Sequence, residues 1–169
     1  AFGMKKKMQL VCPIMLMSSR LGAGWKPYEG VVGGTSFYWE STHPTSKKFV
    51  EAFRKVNKRP PIDYAGFAYS GVKELLSGVN RAGSLDAVAL AEAIEGRTYD
   101  NYKGSQWWRP CDHQSQQDVF IIGSKKAKAK YDVFDLISTV SGANERLLRT
   151  CIEVGMNPNK PDRAGLLKK

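Results

Sequence analysis

Residues 104–123 read GSQWWRPCDHQSQQDVFIIG, and the placement of this stretch organises the rest of the chain. Gln106, Trp107 and Trp108 suit a pleated, half-buried surface, so the stretch opens as a strand. Asp118 to Ile122, a short apolar run closed by Gly123 and Ser124, reads as a second strand. Between them one tight turn carries Arg109, Cys111, Asp112, His113 and Gln114, interrupted only by Pro110. A thiol becomes a nucleophile when a base stands beside it, and His113 is two residues from Cys111. Against that, catalytic Cys and His usually meet through the fold, and neither a nucleophile elbow nor a metal-ligand spacing accompanies the pair. The pattern favours a turn in which Asp112 and Gln114 bond backbone and Cys111 is structural.

Composition sets the frame. A chain of 169 residues with 42% hydrophobic and 11% aromatic content can bury one core of ordinary size. No apolar run approaches the roughly 18 residues that would cross a membrane. The opening AFGMKKKMQL has no initiating methionine, no long apolar core and no small-residue cleavage site, so it reads as the middle of a longer sequence. A net charge of +10 would allow nucleic-acid or membrane-surface binding on electrostatic grounds alone. The basic residues, however, are spread over 5–7, 47–59, 125–130 and 160–169, mostly as ends and turns without interleaved aromatics or a recognised binding motif, as solvated faces are. Nucleic acid is not an expected partner, and no metal or cofactor is implied.

Along the chain, Met8 to Met15 reads as a buried strand limited by Pro13. Ligands of α/β folds gather at the carboxyl ends of strands, which makes Cys12 and Pro13 candidate wall residues, while Met15 and Met17 read as core. Ser18 to Glu29 is a loop or short irregular helix. Gly30 to Trp39 is a strand whose end carries the rings of Phe37, Tyr38 and Trp39, able to stack on a ligand or to pack. Pro44 opens a helix with Phe49, Val50, Phe53 and Val56 on its apolar stripe, stopped by Pro60 and Pro61. Asp63 suits an N-cap for the next helix, in which Tyr64, Ala68, Val72, Leu75, Leu76 and Val79 share one face. Ser84 is positioned to cap a third helix ending before Gly96. Tyr99 to Lys103 reads as a polar turn, SKKAKAK at 124–130 as a solvated hairpin loop and Phe134 to Val140 as a strand. From Asn144 the tail carries one or two amphipathic turns, and Lys168 and Lys169 are expected to fray.

RPCDHQ at 109–114, followed by DVFIIG at 118–123, resembles a signature late in the branched-chain amino acid (Leu/Ile/Val) type of periplasmic substrate-binding protein. Upstream, residues 29–76 (EGVVGGTSFYWESTHPTSKKFVEAFRKVNKRPPIDYAGFAYSGVKELL) are similar to that family's glycine-led strand ending in aromatics, then a helix, then a tyrosine-rich helix. The resemblance implies an α/β fold: a three-layer lobe of a type I periplasmic binding protein, with a mostly parallel sheet flanked by helices. Residues 1–143 would form the C-terminal ligand-binding lobe with its hinge strands, and 144–169 an extension packing back on it. The N-terminal lobe would lie outside this chain. The implied activity is non-enzymatic: binding a small polar solute in an interlobe cleft in the periplasm and presenting it to the membrane permease of an ABC importer.

By the same resemblance the tyrosine at the position of Tyr64 contacts the solute, with Cys12, Pro13, Tyr38 and Trp39 as further candidates. Relatives with a cysteine in the RPCDHQ turn often carry a second near the C-terminus, which pairs Cys111 with Cys151 and leaves Cys12 free. Several relatives place an acid near Cys12 or Pro13 for a ligand ammonium, and this sequence has none there. A ligand-sensing regulator of the same fold and a Cys111–His113 enzyme are the alternatives.

Overall fold

The computed structural model describes residues 3–142 and 149–155. After a single 3-10 turn its elements in chain order are β1 (Val11–Cys12), α1 (Met17–Ala23), α2 (Trp25–Tyr28), β2 (Val32–Thr35), α3 (Pro44–Asn57), α4 (Asp63–Ala82), α5 (Ala87–Ile94), β3 (Thr98–Asn101), β4 (Gly104–Trp108), β5 (Ser115–Gln116), β6 (Val119–Ser124) and β7 (Phe134–Val140). The chain divides into two compact units, one of Ala1–Phe67 with Val119–Val140, the other of Ala68–Asp118 with Ser141–Lys169. All three breaks between the units fall inside residues 1–143, the stretch expected to form one lobe. The expected tail turns from Asn144 and the fraying of Lys168 and Lys169 lie outside the described residues.

The first unit is built on a four-stranded sheet in the order β1-β2-β6-β7. β1 and β2 run parallel, joined through α1 and α2, while β2–β6 and β6–β7 are antiparallel. The α/β class stands, but the pairing of the described strands is mixed instead of mostly parallel. A loop too short for a helical crossover joins β6 to β7, so the second strand has to return alongside the first. On one face Phe120 and Ile122 meet Met15, Met17, Val31, Tyr38, Val133 and Phe134 in the core. Met15 and Met17 are fully packed, as read from sequence. The first strand is shorter than its apolar run, for Met8, Val11 and Ile14 are exposed.

Helix α3 begins as the proline predicts, with the His43 ring accepting from the Thr45 N–H, and ends on Lys58 in the left-handed region at φ 56°. Phe49 and Val50 are buried; Val56 at the last turn is exposed.

The second unit holds the antiparallel sheet β3-β4-β5 with most of α4 and with α5. Helix α4 corrects the expected burial. Its apolar residues Val72, Leu75 and Leu76 are exposed, whereas Gly66, Glu74 and Gly78 face inward. The reason lies in the partners. A methyl at Gly66 would lie 2.6 Å from the Phe37 ring, and one at Gly78 3.1 Å from Ile94, so these glycines admit close neighbours. Glu74 pairs with Arg97 at 2.7 Å, and Ser70 accepts from Asn101 at 2.8 Å. Helix α5 is capped by Asp86, which accepts from the N–H groups of Val88 and Ala89; Ser84, the expected cap, lies two residues earlier and accepts from Asp86 N–H. The 99–103 segment is a buried strand end and turn, with Tyr99, Asn101, Tyr102 and Lys103 all enclosed.

Candidate functional site

In the first unit the carboxyl ends of β1 and β2 meet the first turns of α1 and α4. Gly33 in β2 makes this possible, because any side chain there would collide with the Cys12 carbonyl and Met15. Gly34 likewise sits under the Pro13 carbonyl. Beyond β2, Thr35 donates its hydroxyl to the Phe37 carbonyl at 3.1 Å, and Phe37 lies against Gly66 in the first turns of α4. Asp63, the first residue of that helix, accepts from both the N–H and the hydroxyl of Ser18 in α1. Two helix starts and two strand ends therefore converge at one edge of the sheet.

The five candidate residues separate by environment. Tyr64 is 60% exposed, next to buried Asp63, with its ring edge-on to Phe67 at 6.2 Å. Cys12 is the free, half-buried cysteine at the end of β1, donating to the Ile14 carbonyl at 3.0 Å, and Pro13 beside it is exposed. Tyr38 lies in the core instead. Its hydroxyl donates to the Phe134 carbonyl at 3.1 Å, and burial holds its pKa well above the usual phenol range. Trp39 is half-buried, donates its indole N–H to the Tyr131 carbonyl at 3.0 Å, and has the Arg54 guanidinium over its ring. Tyr64 thus stands next to the Ser18–Asp63 pair and Cys12 and Pro13 at the end of β1, while Tyr38 and Trp39 are engaged by the segment leading into β7.

Ser18 and Asp63 are the polar pair that the sequence reading did not join. Helix-cap chemistry marked Asp63, but its partner lies 45 residues away, and no local pattern encodes that distance.

The RPCDHQ turn in the second unit is a clasp. Cys111 is disulfide-bonded to Cys151. Arg109, nearly enclosed, donates to both Asp112 oxygens, to Gln114 Oε1 and to the Arg149 carbonyl. Its guanidinium holds the Asp112 carboxyl below the usual carboxylate range. Asp112 also accepts from the Gln114 N–H, the turn bond expected of it. His113 adopts φ 57° and pairs with Glu95 at 2.6 Å. With its sulfur in the disulfide, Cys111 offers His113 no thiol to activate, and the Cys–His alternative loses its nucleophile. No cluster of metal-ligating residues occurs among the described residues, and none of their helices is long and apolar enough to cross a membrane.

An α/β sheet edge where strand carboxyl ends meet helix starts is the arrangement of a small-molecule binding module. Residues 1–130 match the family model of the periplasmic binding protein, and the chain belongs to that family. A search of the curated proteins finds no match. Among solved structures it is similar to an amino acid ABC transporter substrate-binding protein from Pseudomonas fluorescens Pf-5, with TM-score 0.79 and 22% identity over 92% of this chain and 42% of that one. It is also similar to the leucine-, isoleucine-, valine-, threonine- and alanine-binding protein of Brucella ovis in its closed conformation (TM-score 0.70, 22% identity, 88% of this chain and 40% of that one). A third is the solute binding protein of an ABC transporter from Rhodopseudomonas palustris BisB5, in complex with 3,4-dihydroxybenzoic acid (TM-score 0.67, 18% identity, 82% and 38%). At these identities the likeness is one of fold, and the chain spans about two fifths of the length of each.

Proposed function

We propose that the chain is the C-terminal part of the periplasmic solute-binding component of an ABC importer, binding a small solute and delivering it to the permease. The observation that supports this reading is the convergence of the β1 and β2 carboxyl ends with the first turns of α1 and α4, within a chain of the periplasmic binding protein family. Tyr64 and the exposed edge at Cys12 and Pro13 form one wall; the facing wall belongs to the N-terminal lobe outside this chain. The ligand favours the closed state only by as much as it binds that state better.

No acid stands at Cys12 or Pro13, so this wall offers a ligand ammonium no partner. Asp63 is enclosed and already accepts from Ser18. The solute therefore presents an acceptor group, or an apolar or aromatic portion, to this wall. Branched-chain amino acids, amides, urea-like compounds and aromatic acids fit that description.

Calorimetry of the longer protein against these classes tests the reading. Micromolar binding of one class is expected, together with binding by the 169-residue chain no tighter than about millimolar, or about 4 kcal/mol. Failure of the longer protein to bind any of them would end the solute-binding reading, and micromolar binding by the 169-residue chain alone would place both walls within it.

A further inference from the structure

Residues 47–59, most of α3 and the two residues after it, carry six cations, Lys47, Lys48, Arg54, Lys55, Lys58 and Arg59, against one carboxylate, Glu51, and all seven side chains are exposed. The helix dipole accounts for part of this excess. Arg54, Lys55 and Lys58 stand at the C-terminal end, where cations complement unpaired carbonyls, but Lys47 stands in the first turn, where the same dipole disfavours it. In sequence Lys126, Lys128 and Lys130 form a separate run, and the fold joins the two. The Arg54 guanidinium lies 5.6 Å from the centre of the Trp39 ring, the Trp39 indole N–H donates to the Tyr131 carbonyl at 3.0 Å, and the Lys130 ammonium lies 5.4 Å from the centre of the Tyr131 ring. Cations and half-buried rings thus alternate from the helix to an exposed loop, while the acids beside that loop, Asp132 and Asp135, are held by Lys125 at 2.5 and 2.9 Å.

The rings and the shape select the kind of anion that fits. Single-stranded nucleic acid is held by bases stacking on open ring faces, whereas Trp39, Tyr131 and Phe53 each already have a cation over the ring, Arg59 in the case of Phe53. An acidic protein would have to match fixed carboxylates to charges spread along a rod about 21 Å long and a loop beside it. Anionic lipid headgroups diffuse laterally and meet such charges wherever they stand. Val56, 79% exposed among the cations, is an apolar group that a headgroup layer admits, and tryptophan and tyrosine favour the same boundary.

We propose that the exposed face of α3, together with the 126–130 loop, docks on an anionic lipid surface, with its lysines and arginines against the phosphate headgroups. Exposed charges bind such a surface reversibly and let go as salt rises. The contact therefore concentrates the protein at a membrane without anchoring it there. It goes beyond solute binding and holds whichever solute is bound.

The test is co-sedimentation of the longer protein with vesicles of phosphatidylcholine, alone or with about one third phosphatidylglycerol. At about 0.1 M salt, where charges act over about 10 Å, about tenfold more protein or better is expected on the anionic vesicles, and most of it should leave at about 1 M, where they act over about 3 Å. Lys48→Gln with Lys55→Gln removes two exposed charges from the face and should weaken association about 3-fold to 10-fold, whereas Lys48→Arg with Lys55→Arg should keep it. Lys128→Gln should weaken it as well. Lys73→Gln with Arg81→Gln removes two exposed charges from the second unit and should change association by less than about twofold. The α3 pair should leave the melting temperature within about 2 °C and solute affinity unchanged. Equal association with both kinds of vesicle would overturn the proposal, and equal losses from the two glutamine pairs would overturn it by reducing the effect to net charge. Retention by single-stranded DNA or by the detergent-solubilised permease, abolished by the α3 pair while anionic vesicles bind nothing, would assign the face to that partner and equally overturn it. A longer protein that binds anionic vesicles but no solute would keep the lipid contact and remove the transport reading alone.

Discussion

Ser18 donates both its backbone N–H and its hydroxyl to the carboxylate of Asp63, at 3.0 and 2.7 Å, and Asp63 is almost wholly enclosed. The pair ties the start of α1 to the start of α4, the two helix ends that border the candidate site. Asp63→Ala would leave a donor N–H and a hydroxyl without their acceptor. Bonds to a charged group contribute about 1.5–3 kcal/mol net, so a loss of about 2–3 kcal/mol in urea unfolding is expected. A change under about 0.5 kcal/mol would show that the pair does not hold these helices.

Tyr38 and Tyr64 make opposite predictions from one chemical change. Tyr38→Phe removes the hydroxyl that donates to the Phe134 carbonyl and accepts from its N–H, lowering stability by about 1–2 kcal/mol. Tyr64→Phe alters an exposed residue and should change stability by less than about 0.5 kcal/mol. In the longer protein it should weaken solute binding about 5-fold to 150-fold, because a desolvated ligand oxygen loses its donor. Unchanged affinity for Tyr64→Phe would reduce Tyr64 to a packing residue.

The contrast shows what local patterns carry. Strand ends, prolines and helix periods are encoded by neighbouring residues, so β7 at Phe134–Val140, the start of α3 at Pro44 and the length of α4 were legible. Which side of α4 turns inward was not. Its period is set by its own residues, but its orientation is set by Phe37, Ile94 and Arg97, which come from other elements and favour glycines and Glu74 over Val72, Leu75 and Leu76. The same limit hid the Ser18–Asp63 pair and the burial of Lys103. For the Cys111–Cys151 disulfide the residues alone left the pairing open, and only the resemblance selected it.

Removing that disulfide tests the clasp. It closes a loop with a sequence separation of 40, for which chain entropy gives about 4 kcal/mol. Cys151→Ser should lower the unfolding free energy by about 2–4 kcal/mol and abolish the mobility difference between reduced and oxidised protein on gels. Thiol titration of the oxidised, unfolded protein should find one free cysteine, Cys12. Three free thiols after folding under oxidising conditions would remove the disulfide and weaken the periplasmic assignment.

Gly66 offers a test of packing free of charge effects. A methyl there would lie within 2.6–2.9 Å of three ring carbons of Phe37, which is itself buried. Helix propensity favours Gly66→Ala by about 1 kcal/mol, yet overpacking costs about 1–3 kcal/mol. Net destabilisation is expected, and the double variant Gly66→Ala with Phe37→Leu should recover part of it. A stabilised Gly66→Ala would mean that Phe37 moves aside freely.

Lys103 gives the stability of the second unit a pH dependence. Its ammonium donates to the Asp118 carbonyl at 2.5 Å within an enclosed site, 5.8 Å from the Tyr102 ring centre. Burial lowers its pKa to about 7, against a weaker opposing pull from the charge of Asp118. The folded value lies below that of the unfolded chain, so between about pH 7 and 10.5 the unfolded state holds a proton that the folded state has released. Stability must then rise with pH through this window and fall back as pH drops towards 7. The buried phenols of Tyr38, Tyr99 and Tyr102 have raised pKa values and pull the other way near pH 10 and above, which confines a clean reading to pH 7–9. Over those two units the lysine contributes a rise of about 2 kcal/mol by linkage. Lys103→Met keeps most of the side-chain volume without the titrating group, and subtracting its urea-unfolding profile from that of the wild type isolates the effect. If the two profiles run parallel from pH 7 to 9, Lys103 keeps an ordinary pKa and its site is open to water.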